Sequence, residues 1–173
     1  MNETLQTLKK RRSNRSYRPE QIADRELNAI LEAGTYAPTG NGRQSPVMVV
    51  VQDPETLALL SRVNAEIMGK PDAAPFYGAP TAVVVLADGR IPTWLQDGAL
   101  VMGNLMNAAA SLGVASCWIN RAKETFEREE GRLLLKKWGV PETLCGVGYC
   151  ILGYAAEDPP AASPRKEGYI VRP

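Results

Sequence analysis

Residues 93–113 read TWLQDGALVMGNLMNAAASLG and carry a single formal charge, Asp97. Apolar residues recur around nearly the whole helical circumference instead of along one stripe, which predicts a helix buried on all sides. Thr93-Trp94-Leu95-Gln96 has the form of a capping box at its start, and Gly113 is its stop signal. Leu100, Val101, Met102, Leu105, Met106, Ala109 and Leu112 all need cover, and leaving a large apolar side chain in water costs about 1.5–3 kcal/mol. A chain of 173 residues is short for wrapping such a helix completely. A second copy of the chain is the natural supplier of the missing cover, and Gly98, Gly103, Ala108 and Ala109 would let a partner helix come close. This one segment therefore predicts a homodimer built on a long central helix.

The rest of the chain alternates loosely between helical and extended patterns. Leu5 and Leu8 mark a short amphipathic helix over about 3–11, and a second helix is expected after Asp24, with Leu27, Ile30 and Leu31 on one face and Gly34 at its end. SPVMVVV, ending at Val51, reads as a buried strand. Asp53 and Pro54 supply the N-cap and first turn of a helix running to about Met68. Beyond a Gly- and Pro-rich loop come a strand at 81–87, the central helix, and a charged helix at 123–138 stopped by Gly139. CGVGYCILGY is the last strong strand, followed by a proline-rich tail. The expected class is α+β, a sandwich with a mixed sheet, in one domain spanning 1–173.

Composition removes several chemistries. There is no histidine, so no Ser-His-Asp or Cys-His pair and none of the zinc sets that mix Cys with His. Cys117, Cys145 and Cys150 are too few for a disulfide scaffold; Cys145 and Cys150 read as buried thiols, and a reducing cytoplasm is the expected home. No apolar run is long enough to span a membrane. The glycines of GVGYCI lack a third glycine and a following helix, so they form no dinucleotide fingerprint. An enzyme of this composition would leave the hard chemistry to a bound cofactor, with no catalytic side chain of its own.

One segment stands apart. KKRRSNRSYRP places Lys9, Lys10, Arg11, Arg12, Arg15 and Arg18 together in a chain whose net charge is +1. The cluster is open to three readings: a solvated face, a nucleic-acid patch, or a phosphate site in which Arg11 and Arg12 present their planar forks and Ser13 adds a donor. A near-neutral chain with 6% aromatics argues against nucleic acid.

RRSNRSYRPE followed by LEAGTYAPTGNGRQSPVMVVV resembles the opening of the nitroreductase family of flavin enzymes. FYGAPTAVVVLA, QDGALVMGNLMNAAASLGVASCWIN and GYCILGYAAEDPPAASPRK continue the likeness in family order along nearly the whole chain. The resemblance implies a nitroreductase-like sandwich: a mixed, mostly antiparallel sheet flanked by helices, with the long central helix at a dimer interface. It implies FMN as cofactor and NAD(P)H as electron donor. Arg11, Arg12, Ser13 and Arg15 would contact the phosphate and ribityl chain, and Arg165 and Lys166 would return from the tail to the same region. Arg18, Lys9 and Lys10 would be solvated. Pro38, Thr39, Gly40 and Gln44 of one subunit would face the flavin held mainly by the other. Ser116, Cys117, Trp118 and Ile119 would line the opposite edge of the ring, a backbone N–H there donating to its N5, with Cys117 a packing residue. The family's Q-P-W stands here as Gln44-Ser45-Pro46, and its loop asparagine falls at Gly42 with Asn41 one place earlier. The implied activity is ping-pong transfer of hydride from NAD(P)H through the flavin to a small acceptor such as a nitroaromatic or a quinone, with no nucleic acid or membrane partner. Dehalogenation, flavin cleavage, enoate reduction and non-catalytic flavin binding are the alternatives on the same scaffold.

Overall fold

Every residue from 81 to 87 is wholly buried, and the fold is organised around that strand. The structure, a computed structural model, describes residues 2–173. Its strands are β1 (Val47–Val51), β2 (Thr81–Asp88), β3 (Ala115–Ile119) and β4 (Leu144–Gly153), in the order β1-β2-β4-β3 and antiparallel throughout. The helices are α1 (Glu3–Lys10), α2 (Asp24–Thr35), α3 (Pro54–Ile67), α4 (Trp94–Ser111), α5 (Ala122–Glu127) and α6 (Glu129–Lys137). Side chains alternate across a strand, so β2 feeds both cores. Val83, Val85 and Ala87 pack with Ile30, Met102 and Leu105 of α2 and α4. Val84 and Leu86 pack with Leu60, Phe126 and Leu135 of α3, α5 and α6. Helices on both faces of one sheet give the expected α+β sandwich. No helix among the described residues is long and apolar enough to cross a membrane.

Local chemistry explains most boundaries. The Asp53 carboxylate accepts the Thr56 backbone N–H at 2.9 Å, the expected cap of α3. The Glu26 carboxylate accepts the Ala23 backbone N–H at 3.2 Å and closes the first turn of α2.

Two expectations need correction. The charged helix at 123–138 is two helices, because Arg128 is extended between α5 and α6. Gly131 shows why: a Cβ there would lie 2.1 Å from the Thr125 carbonyl oxygen, so the two short helices meet at a corner too tight for a side chain. β1 is an edge strand, with only Val51 buried and Val47 37% exposed, since an apolar run does not distinguish the edge of a sheet from its centre. The central helix α4 is covered on one side only. Val101, Met102, Leu105 and Ala109 are buried against α2 and the sheet, while Leu95, Leu100 and Leu112 remain exposed, Leu100 by 47%. α1 likewise buries no residue, and Leu5 and Leu8 face outward.

Candidate functional site

The basic segment leaves α1 and is stitched to the open edge of β3. The Asn14 backbone N–H donates to the Ser116 carbonyl at 3.0 Å, making Ser13 and Ser116 a parallel bridge beside the antiparallel sheet. The segment also pairs with the chain leaving β4: Arg18 N–H donates to Tyr154 O at 2.9 Å and Ala156 N–H to Ser16 O at 3.0 Å. Asn14, only 3% exposed, is the pin. Its Oδ1 accepts the Ser16 N–H, its Nδ2 donates to Glu157 O, and its own carbonyl accepts the Tyr17 hydroxyl at 2.8 Å. Burial raises the Tyr17 phenol well above its ordinary range, with the nearby thiols of Cys117 and Cys150 adding to the effect, so the hydroxyl stays a donor.

Adjacent arginines then part ways. The Arg12 guanidinium turns back to the Lys9 and Arg11 carbonyls, each at 2.7 Å, and satisfies the end of α1. Nη1 of Arg11 is buried with no hydrogen-bond partner. Both arginines line a cleft of about 700 Å³ together with Ser13, Arg15 and Lys9, closed on its far side by residues 160–163 and Arg165. No aspartate or glutamate lines it. A buried guanidinium N–H without an acceptor is costly, and a phosphate supplies the missing acceptor, so this donor set fits the phosphate end of a flavin mononucleotide. Lys166 is outside the lining; its ammonium sits 5.4 Å from the centre of the Tyr169 ring.

Ser116, Cys117 and Trp118 lie on β3 beside that segment. Cys117 is buried in the core with Ile119, its thiol 3.7 Å from the Trp118 carbonyl, while Trp118 packs toward the α4 layer. Trp118 packs against Gly148, where a Cβ would come within 2.5 Å of its Nε1. That close approach accounts for a glycine in the GVGYCI strand. Cys150, deeper in the same layer, is pushed up to about 12 by burial, with Cys117 nearby adding to the shift, and is a thiol at neutral pH. Cys145 is only partly buried, short of the burial expected. A second pocket, of about 260 Å³, opens at the end of β3 between Cys117, Trp118 and Arg121 and the turn at residues 73–77. Arg15 lines both pocket and cleft and joins the two groups.

The third group stays apart. Thr39 and Gln44 line a small cavity of about 140 Å³ with Gly34, Met48 and Val101, and neither they nor Pro38 or Gly40 reach the arginine cleft. The loop is held by Asp97, the one charge of α4 and a residue that sequence reasoning passed over. Its carboxylate, 2% exposed, accepts the Gly40 N–H at 2.9 Å and the Thr93 hydroxyl at 3.0 Å. This corrects the capping box, since the Thr93 side chain bonds Asp97 and makes no cap bond to the helix backbone. The signal was in view: a lone carboxylate in an apolar helix must find buried donors. Gln44 completes the loop, its N–H donating to Thr39 Oγ1 at 3.0 Å while its backbone is left-handed.

The profile of the Nitroreductase family matches residues 8–154. A solved nitroreductase with bound FMN from Bacteroides fragilis is 35% identical, with a TM-score of 0.91 and 99% of each chain covered. A nitroreductase with bound FMN from Desulfitobacterium hafniense is 28% identical, with a TM-score of 0.88 and the same coverage. The FMN reductase (NAD(P)H) of Bacillus subtilis is 30% identical over 184 residues, 95% of this chain and 70% of that protein. Because the match runs from the basic segment through the last strand, this chain belongs to the nitroreductase family.

Proposed function

We propose that this protein is an FMN-dependent oxidoreductase that transfers hydride equivalents from NAD(P)H to a small acceptor, a nitroaromatic or a quinone, by a ping-pong sequence. One observation carries the reading. Arg11, Arg12, Ser13, Arg15 and Arg165 line a single cleft without a carboxylate, and the Ser13–Ser116 bridge sets that cleft beside Ser116–Trp118. When bound, FMN supplies the redox chemistry, taking up and returning hydride at its reactive nitrogen.

The chain supplies binding and orientation. Arg11 and Arg165 meet the phosphate from opposite walls, Ser13 and Arg15 follow toward the ribityl chain, and Lys166 adds positive charge beside Arg165. A backbone N–H within Ser116–Trp118 donates to the flavin ring, and Cys117 serves by its size alone. Pro38, Thr39, Gly40 and Gln44 come to the flavin from a second copy of the chain, a homodimer; their separation from the arginine cleft within one chain supports this. The three free cysteines suit a reducing compartment, the cytoplasm.

The test is spectroscopic and kinetic. Purified protein, incubated with FMN and passed through gel filtration, should hold a flavin absorption spectrum and oxidise NADH or NADPH when a quinone or a nitroaromatic is added. Protein that emerges colourless and consumes no nucleotide overturns the reading.

A further inference from the structure

One side chain ties the loop between α2 and β1 to the rest of the fold. Asp97 lies in the first turn of α4 at 2% exposure, and its carboxylate accepts the Gly40 N–H at 2.9 Å and the Thr93 hydroxyl at 3.0 Å. It makes no ion pair among the described residues, whereas Glu66 and Asp88 both pair with arginines. An apolar residue would suit the packing of this helix better, so the contribution of the carboxylate is to the loop.

The base under Asp97 is rigid. Gly98 presses α4 so closely against β4 that a Cβ would lie 2.4 Å from the Val147 Cγ2. Gly40 sits as tightly on the helix start, where a Cβ would lie 2.5 Å from the Thr93 Oγ1. The loop itself carries strain. Asn41 at φ 54° and Gln44 at φ 50° occupy the left-handed region on either side of Gly42 and Arg43. Residues held in this way keep their conformation only where surrounding contacts over-determine it. Within the loop the Gly42 N–H donates to the Thr39 carbonyl and the Gln44 N–H to the Thr39 Oγ1, each at 3.0 Å, and the Arg43 N–H to the Gly40 carbonyl at 3.3 Å. Among the described residues, the bond from Gly40 to Asp97 is the one hydrogen bond that joins residues 39–44 to another element.

We infer that Asp97 is a positioning residue acting in trans: by fixing Gly40 it sets the loop that one copy of the chain presents to the flavin held by the arginines of the other. The inference rests on the proposed sharing of the flavin between two copies, since Asp97 and its loop lie outside the arginine cleft of their own chain. Asp97 itself touches no flavin, and its effect on the cofactor passes through the loop.

Complementation between two defective copies tests it. Asp97→Leu puts an apolar side chain of similar shape in place of the carboxylate and releases Gly40, while Arg11→Ala disables the phosphate end. Each variant alone, titrated with FMN, should bind at least about tenfold more weakly than wild type, the worth of one hydrogen bond to a charged group. Coexpressed under two affinity tags and purified through both, the mixed dimer should bind one FMN with wild-type affinity and a second far more weakly. One of its two sites takes Arg11 from one copy and the anchored loop from the other, and the remaining site carries both defects. Asp97→Asn keeps an acceptor for Gly40 and should stay within about threefold of wild type. Asp97→Ala removes the same acceptor without bulk and should repeat the Asp97→Leu result.

A mixed dimer with no site of wild-type affinity overturns the proposal, by placing the effect of Asp97 within its own chain. Unchanged FMN affinity in both Asp97→Leu and Asp97→Ala, failure of both to fold, or flavin loss that follows loss of the dimer in sedimentation overturns it too. A wild type that holds FMN as a monomer overturns the shared site and this assignment together, and leaves the oxidoreductase reading standing. Wild-type protein that binds no FMN overturns the proposed function, and the assignment of Asp97 falls with it.

Discussion

Arg11 and Arg12 are identical neighbours with different employment, and the difference is where α1 stops. Arg12 is spent on the helix's own carbonyls, while Arg11 keeps a buried N–H free. Arg11→Ala should therefore lose FMN about 10- to 100-fold more readily in gel filtration, the range of a charge-assisted contact of about 1.5–3 kcal/mol. Its melting temperature without flavin should stay close to wild type. Arg12→Ala should lower both, and Lys136→Ala, exposed at the end of α6, should lower neither. The cluster of charge was legible in the sequence; its division of labour was not, because it depends on a helix terminus placed to the residue. Asp97 escaped for the opposite reason, since its partners Gly40 and Thr93 come from the loop and the helix start that only folding brings together. Cys150 makes a prediction about pH. Its folded pKa is raised to about 12, so the folded state binds the proton more tightly than the unfolded one. That stability is whole below the unfolded value of about 8.5 and drains as pH rises toward 12. Between pH 8 and 10 the wild-type melting temperature should fall more steeply than that of Cys150→Ala, although the variant starts lower.

Among the elements, those marked by side-chain chemistry were readable and those decided by packing were not. Asp53-Pro54 announced α3, and the apolar run of β2 announced a strand. The break between α5 and α6 carries no proline, and the edge position of β1 leaves no trace in a valine run. Gly131 was the available sign of the break, a residue with low helix propensity in the first turn of a charged helix. The corner it permits is unforgiving, because the atoms in the way, the Thr125 carbonyl and the Phe126 Cα, belong to the backbone. Gly131→Ala should therefore destabilise the protein by about 1–3 kcal/mol in denaturant titration, the usual cost of overpacking, although alanine is the better helix former. A variant as stable as wild type would mean that the corner opens freely and that the two helices can merge.

At the scale of the molecule, α4 and α1 leave apolar side chains uncovered within one chain. Leu95, Leu100 and Leu112 on one helix and Leu5 and Leu8 on the other all face outward. The proposed second copy would cover this surface and bring to the flavin the loop of Pro38, Thr39 and Gly40, which lies away from the arginine cleft within one chain. Leu100→Glu should therefore convert the proposed dimer to monomer in sedimentation and lower flavin retention in the same sample, since assembly and ligand binding would support one another. A yellow, fully active monomer would refute the shared site. The sequence pattern of α4 foretold a need for cover; it did not foretell that one flank would be met from within the chain by α2. The stitching of the basic segment to the chain beyond β4 has a consequence for synthesis. One wall of the arginine cleft is made by residues 11–15 and the other by residues 160–165. A growing chain thus carries half a receptor until residues 160–165 have themselves emerged from the ribosome and folded back, and cannot enclose its cofactor before then.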